Sequence, residues 1–143
     1  MKNLLTVVLL LIASMRLSAQ APVAAPDPNA PVITFVETEI NFGTIVYGAE
    51  AIRVFTFTNT GKTPLIITSI KGQCGCTTLP EGFPKDPIPP GGTASFKVKY
   101  DTMNRPGMFD KKITVISNAS VPSVEVKIKG TVLPAGTPAT GGN

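Results

Sequence analysis

Cys74 and Cys76 flank Gly75 and are the only cysteines in a chain of 143 residues that has no histidine. Thiols two residues apart can pack or close a local bridge, exchange electrons as a redox-labile pair, or supply half of a tetrahedral metal site. A fully extended backbone would hold their Cα atoms about 7 Å apart, at the upper edge of the roughly 4.4–6.8 Å that disulfides span. A tighter turn at Gly75 would bring them into range. So short a bridge restricts the unfolded chain little, and a strained one is easily reduced. The first expectation for Cys74 and Cys76 is therefore packing or a local bridge, with a redox pair second. Metal is disfavoured, because a second chain would have to complete the ligand set.

The missing histidine narrows the chemistry elsewhere. It removes Ser-His and Cys-His nucleophile activation, imidazole metal sites and the usual general base near neutral pH. The carboxylates are scattered: Glu37 and Glu39 could share one face of an edge strand, and Asp101 and Asp110 flank one loop. Neither pair belongs to a calcium loop or carries the signature of a pocket. Phosphate loops, nucleophile elbows and dinucleotide fingerprints do not occur. Lys97 with Lys99, and Lys127 with Lys129, would each share a face and could meet an acidic polymer. A solvated outer face that discourages edge pairing is the plainer reading. Asn118-Ala119-Ser120 matches a glycosylation acceptor, relevant only in a host with that machinery. The chain is expected to have no catalytic residues, no cofactor and no metal site of its own.

The elements that must position these residues are strands. Ala94, Phe96, Val98 and Tyr100 alternate with Ser95, Lys97, Lys99 and Asp101, and Val124, Val126, Ile128 and Val132 alternate with polar neighbours. Such period-two patterning gives strands with one buried face, placing Phe96 inward and Lys97 in water. Ile52–Thr58 carries Phe55 and Phe57 on one face. Leu65–Ile70 and Lys112–Ile116 are more apolar, as in covered strands, and Ile33–Val36 with Ile40–Ile45 form a weaker opening pair. Turn chemistry separates the runs at Asn59–Pro64, at Pro89-Pro90-Gly91-Gly92, at Asn104–Gly107 and at Ser117–Pro122; Pro90-Gly91 suits the centre of a type II turn. About seven strands with no helical period predict an all-β, immunoglobulin-like two-sheet β-sandwich, with a closed barrel as the alternative. There is no tryptophan for its core, and Cys74 and Cys76 are too close in sequence to bridge two sheets.

The ends are of different composition. Lys2, the apolar run Leu4–Ala13 and Leu17-Ser18-Ala19 have the layout of a signal peptide over residues 1–19, cleaved before Gln20. The run is about half the ~20 residues of a spanning helix, and no other segment is long and apolar enough, so the mature chain is expected to have no membrane span. Losing Lys2 and Arg16 lowers the formal charge from +4 to +2, too little to suggest nucleic acid. Residues 20–31 are a Pro/Ala-rich linker, 32–133 the domain and 134–143 a tail; both ends are expected to be mobile.

One ordered set of motifs spans nearly all of Val32–Leu133: Phe42-Gly43-Thr44-Ile45, Phe55-Thr56-Phe57-Thr58-Asn59-Thr60-Gly61, Pro64-Leu65, Cys74-Gly75-Cys76-Thr77, Ile88-Pro89-Pro90-Gly91, Tyr100, Gly107, Ser117-Asn118 and Gly130. The set resembles a bacterial envelope family classed as a domain of unknown function, with an immunoglobulin-like fold akin to Hydin-type domains. The resemblance implies an exported β-domain, periplasmic, cell-surface or secreted, with no established activity. The expectation is a non-catalytic interaction or structural module of the cell envelope, whose partner is an envelope protein or polymer. The alternative is a thiol-redox or metal-binding protein using Cys74 and Cys76.

Overall fold

The computed structural model describes residues 27–138. The expected leader lies outside them, as do most of the linker and the last five residues of the tail. Eight strands follow one another: β1 (Ile33–Phe35), β2 (Glu39–Ile45), β3 (Ala51–Asn59), β4 (Ile67–Gly72), β5 (Thr77–Thr78), β6 (Thr93–Tyr100), β7 (Gly107–Ser117) and β8 (Ser123–Val132). They form two four-stranded sheets, one in the order β1-β3-β6-β5 and the other β2-β8-β7-β4. This is a two-sheet sandwich with the strand distribution of an immunoglobulin domain, and not a closed barrel.

The alternation read from the sequence sets which side chains fill the space between the sheets. From the first sheet Phe55, Phe57, Phe96, Val98 and Tyr100 point inward; from the second come Phe109, Ile113, Val115, Val126, Ile128 and Val132, all buried. With no tryptophan available, phenylalanines take over the centre. Phe55 stacks on Phe96 at 5.5 Å between ring centroids, and Phe35 meets Phe57 at 5.4 Å. A second aromatic group joins Tyr100, Phe109 and Phe42, with Tyr100 and Phe109 stacked at 3.8 Å. Burying each such ring contributes about 1.5–3 kcal/mol, which is how the core holds without a bridge between the sheets.

Three details depart from the sequence expectation. The opening segments do not pair with each other: β1 runs antiparallel to β3 in one sheet, whereas β2 crosses over and runs parallel to β8 in the other. A bulge in β2 between Asn41 and Thr44 lets the crossover follow the twist. The fourth strand lies at Ile67–Gly72, two residues later than expected, because Leu65 is drawn aside to pair with Ile88. The eighth strand, β5, is only two residues long. The turn at Pro89–Gly92 forms as expected, closed by Gly92 N–H donating to Pro89 O at 2.8 Å, with Gly91 at φ 75°.

Candidate functional site

Cys74 and Cys76 sit where the chain leaves the second sheet for the first, between β4 and β5. The backbone turns here, with Thr77 N–H donating to Cys74 O at 3.1 Å. The turn draws the two Cα atoms to 5.2 Å, inside the disulfide range, and the two sulfurs stand at bonding distance. The extended-chain figure of about 7 Å does not apply, because the segment is not extended. Nor does the turn depend on a left-handed Gly75: that residue is not among those with positive φ, and a Cβ there would meet open space. Gly72 is the glycine the turn needs. A Cβ at Gly72 would lie 2.7 Å from Thr77 O and 2.8 Å from Thr77 Cβ, so only a bare backbone lets β4 end against the returning chain.

Both sheets hold the turn. Gln73 N–H donates to Lys112 O of β7 at 2.9 Å, and the Gln73 side-chain oxygen accepts from Lys112 N–H at 3.2 Å. On the other side Asp101 N–H donates to Cys76 O at 2.8 Å, and Thr77 pairs with Tyr100 of β6. The two thiols differ in access. Cys76 is 1% exposed and part of the core, whereas Cys74 is half-buried at its rim. The buried Thr77 hydroxyl lies 3.7 Å from Cys76 Sγ. Beneath the turn, burial pushes the Tyr100 phenol up from its ordinary value. No group of three or more His, Cys, Asp or Glu side chains arranged to hold a metal occurs among the described residues.

The structure scatters the other candidates. Lys97 pairs with Glu81 at 2.6 Å and Lys99 with Glu50 at 3.4 Å, on the outer face of the first sheet. On the second sheet Lys112 pairs with Glu125 at 2.8 Å, and Lys129 pairs with Glu39. The hydrogen bond to Lys129 holds the Glu39 carboxyl below its ordinary value, and the same bond raises Lys129. Glu37 instead lines a shallow depression beside Val36 and Val54. Asp110 is not brought to Asp101: it lies with Asn41, Met108 and Lys129 along an open depression of about 580 Å³, while the Asp101 carboxylate accepts from Met103 N–H at 3.0 Å. Both amide atoms of Asn118 are engaged, Oδ1 accepting from Ile66 N–H and Nδ2 donating to Pro64 O.

In the sequence Asn59 reads only as the start of a turn. It is fully buried and ties three segments together: Nδ2 donates to Thr63 O (2.8 Å) and Ile88 O (3.0 Å), and Oδ1 accepts from Gly61 N–H (3.0 Å) and Val32 N–H (3.3 Å). The signal was the register itself, since Asn59 continues the inward series Phe55, Phe57.

Residues 33–132 match the model of the family described as protein of unknown function (DUF1573). The chain belongs to that family. No curated protein matches it. Among solved structures, a protein of unknown function from Porphyromonas gingivalis is 19% identical with a TM-score of 0.62, the match covering 76% of this chain and 50% of that one. The present chain thus spans half the length of that relative. An ASH / PapD-like domain of human CEP192 is 13% identical with a TM-score of 0.56, covering 85% of this chain and 98% of that one. The Escherichia coli chaperone DraB is 13% identical with a TM-score of 0.51, covering 78% and 58%. The same fold forms part of the secreted serine protease VesC from Vibrio cholerae, at 12% identity and a TM-score of 0.56, covering 73% of this chain and 24% of that one. These likenesses show the immunoglobulin-like, PapD-like fold and nothing of activity.

Proposed function

We propose that the protein is an exported, non-catalytic interaction module of the cell envelope, and that the outer face of the β1-β3-β6-β5 sheet meets its partner. The carrying observation is a strip of hydroxyls and aliphatics at one end of that face. On the second sheet, charges lie opposite and diagonal to one another, and Glu39–Lys129 and Glu125–Lys112 satisfy each other within the sheet. Such a lattice is content in water. The first sheet carries its own pairs, Lys97–Glu81 and Lys99–Glu50, toward the Ala51 end of β3, and its other end presents hydroxyls and aliphatics in register: Thr34, Thr58 and Thr93 form one row across three strands, and Thr56 and Ser95 sit in the next, beside Val36. Val36 is 72% exposed and Val54 47%. A strip of exposed hydroxyls and aliphatics of this kind is suited to a protein or a neutral polymer, and the likeness to a chaperone and to PapD-like domains supports a binding role.

The test is affinity capture from envelope extracts with the purified chain as bait, beside Val36→Glu/Val54→Glu and Lys127→Glu/Lys129→Glu. Specific capture lost with the first pair and kept with the second is the expected result. Capture that depends only on the second pair would move the interface to the other sheet. Hydrolysis of an envelope polymer by the purified protein would overturn the non-catalytic reading.

A further inference from the structure

We infer that Cys74–Cys76 is a thiol–disulfide exchange site for an external dithiol, with Cys74 as the sulfur attacked and Cys76 as the buried leaving sulfur. The inference is independent of the binding face proposed above. It rests on three observations. First, a bridge here has little to do for the fold. It would close a loop of three residues, whose ends are already held by the Cys74–Thr77 turn, by Gln73 on β7 and by Cys76 O on Asp101. So short a loop removes little entropy from the unfolded chain. Second, the two sulfurs are unequal: Cys74 reaches the surface and Cys76 does not. An incoming thiolate can approach only one of them. Third, the Thr77 hydroxyl stands 3.7 Å from Cys76 Sγ, where it can donate to the sulfur that must carry charge when the bond opens. A leaving thiolate stabilised in this way leaves faster.

The exchange balances as follows. One thiolate of the dithiol attacks Cys74 Sγ, a mixed disulfide forms, and the Cys74–Cys76 bond breaks with its electron pair on Cys76, which then takes up a proton. The second thiolate of the dithiol attacks its own sulfur in the mixed disulfide and releases Cys74. The dithiol ends as its cyclic disulfide, and the protein gains two electrons and two protons. Because the backbone turn persists, the two thiols stay close enough to re-form the bond by the reverse path.

The experiment uses the full chain purified without reductant, with dithiothreitol as the probe and alkylation followed by mass spectrometry to count thiols. The expected result is an intact pair that opens reversibly to two thiols while the far-ultraviolet circular dichroism spectrum is unchanged. Single variants assign the roles: with glutathione disulfide, Cys74 in Cys76→Ser should form its mixed disulfide at least about tenfold faster than Cys76 in Cys74→Ser, since burial blocks approach. Thr77→Val should slow opening by dithiothreitol about tenfold, with Thr77→Ser restoring the rate, because a hydrogen bond to the charged leaving sulfur is lost and regained. Free thiols in the purified wild-type protein, opening only on unfolding, equal reactivity of the two cysteines, or an opening rate indifferent to Thr77→Val would each overturn the proposal. Capture of a partner by the wild-type chain is unaffected by any of these outcomes, so the two readings fail separately.

Discussion

Asn59 follows Phe55 and Phe57 in the inward register of β3, so folding must bury a primary amide in the place of a third aromatic. That is tolerated because every polar atom of the side chain finds a partner, and because its own N–H and C=O are bonded to Gly92 and Gly91. Truncation to alanine would orphan Val32 N–H and Gly61 N–H, whereas Ile88 O keeps its bond from Leu65 N–H. Asn59→Ala is therefore expected to destabilise the fold by about 2–4 kcal/mol, read as a lower urea midpoint at unchanged slope. A loss below about 0.5 kcal/mol would show that water replaces the amide. The inward position was legible in the alternation. The partners were not, since they come from loops up to 29 residues away that no strand period describes. Cys74 and Cys76 show the same division: their type and spacing were plain, but the distance between them depends on a turn held by β6 and β7.

Strands are where the sequence was most informative, because period two reports which side of a strand is buried. Phe96 inward and Lys97 outward follow from it, and the structure places them so. Period two does not report which strand lies alongside. Hence β1 and β2, adjacent in sequence, could be read as strands but not assigned to different sheets, and the two residues of β5 are too few for any period. The parallel contact of β2 with β8 joins an edge strand to the second sheet, and the Glu39–Lys129 pair lies along it. Glu39 has its pKa lowered by the bond to Lys129, so its contribution is present above its ordinary value of 4.5 and is lost as pH falls through the lower folded-state value. Lys129 is raised, so its contribution is present below 10.5 and is lost only as pH rises through the higher folded-state value. Glu39→Gln should therefore lower the urea midpoint slightly at neutral pH, less in high salt, and not at all in strong acid, where the wild-type carboxyl is protonated too. A difference that persists undiminished in strong acid would mean that glutamine disturbs the β2 join by something other than charge.

At the scale of the whole molecule, composition marked residues 20–31 as a spacer, yet the structure packs the end of that stretch against the sandwich. Thr63 Oγ1 donates to Asn29 O at 2.9 Å, Ser120 N–H donates to Pro31 O at 2.9 Å, and Pro31 is buried. Proline and alanine carry no period, so nothing in the sequence distinguished a docked residue from a free one. Gly61 is the other half of this contact: a Cβ there would run into the backbone of Ala30, Pro31 and Val32. The docked segment passes from the Asn59–Pro64 turn to the β7–β8 connection, and so fastens the start of the first sheet to the far end of the second. A chain trimmed to Asp27–Pro138 should melt like one that begins at Gln20, whereas Val32–Pro138 should lose about 2 kcal/mol and roughly 10 °C, from two hydrogen bonds and the buried proline. Gly61→Ala supplies the control that separates packing from simple shortening. It should be costly in the longer chain, where the backbone of residues 30–32 is pinned, and less so in the shorter one, where the new terminus can move aside. Equal melting of the two trimmed chains, with equal cost of Gly61→Ala in both, would return Asn29–Pro31 to the linker.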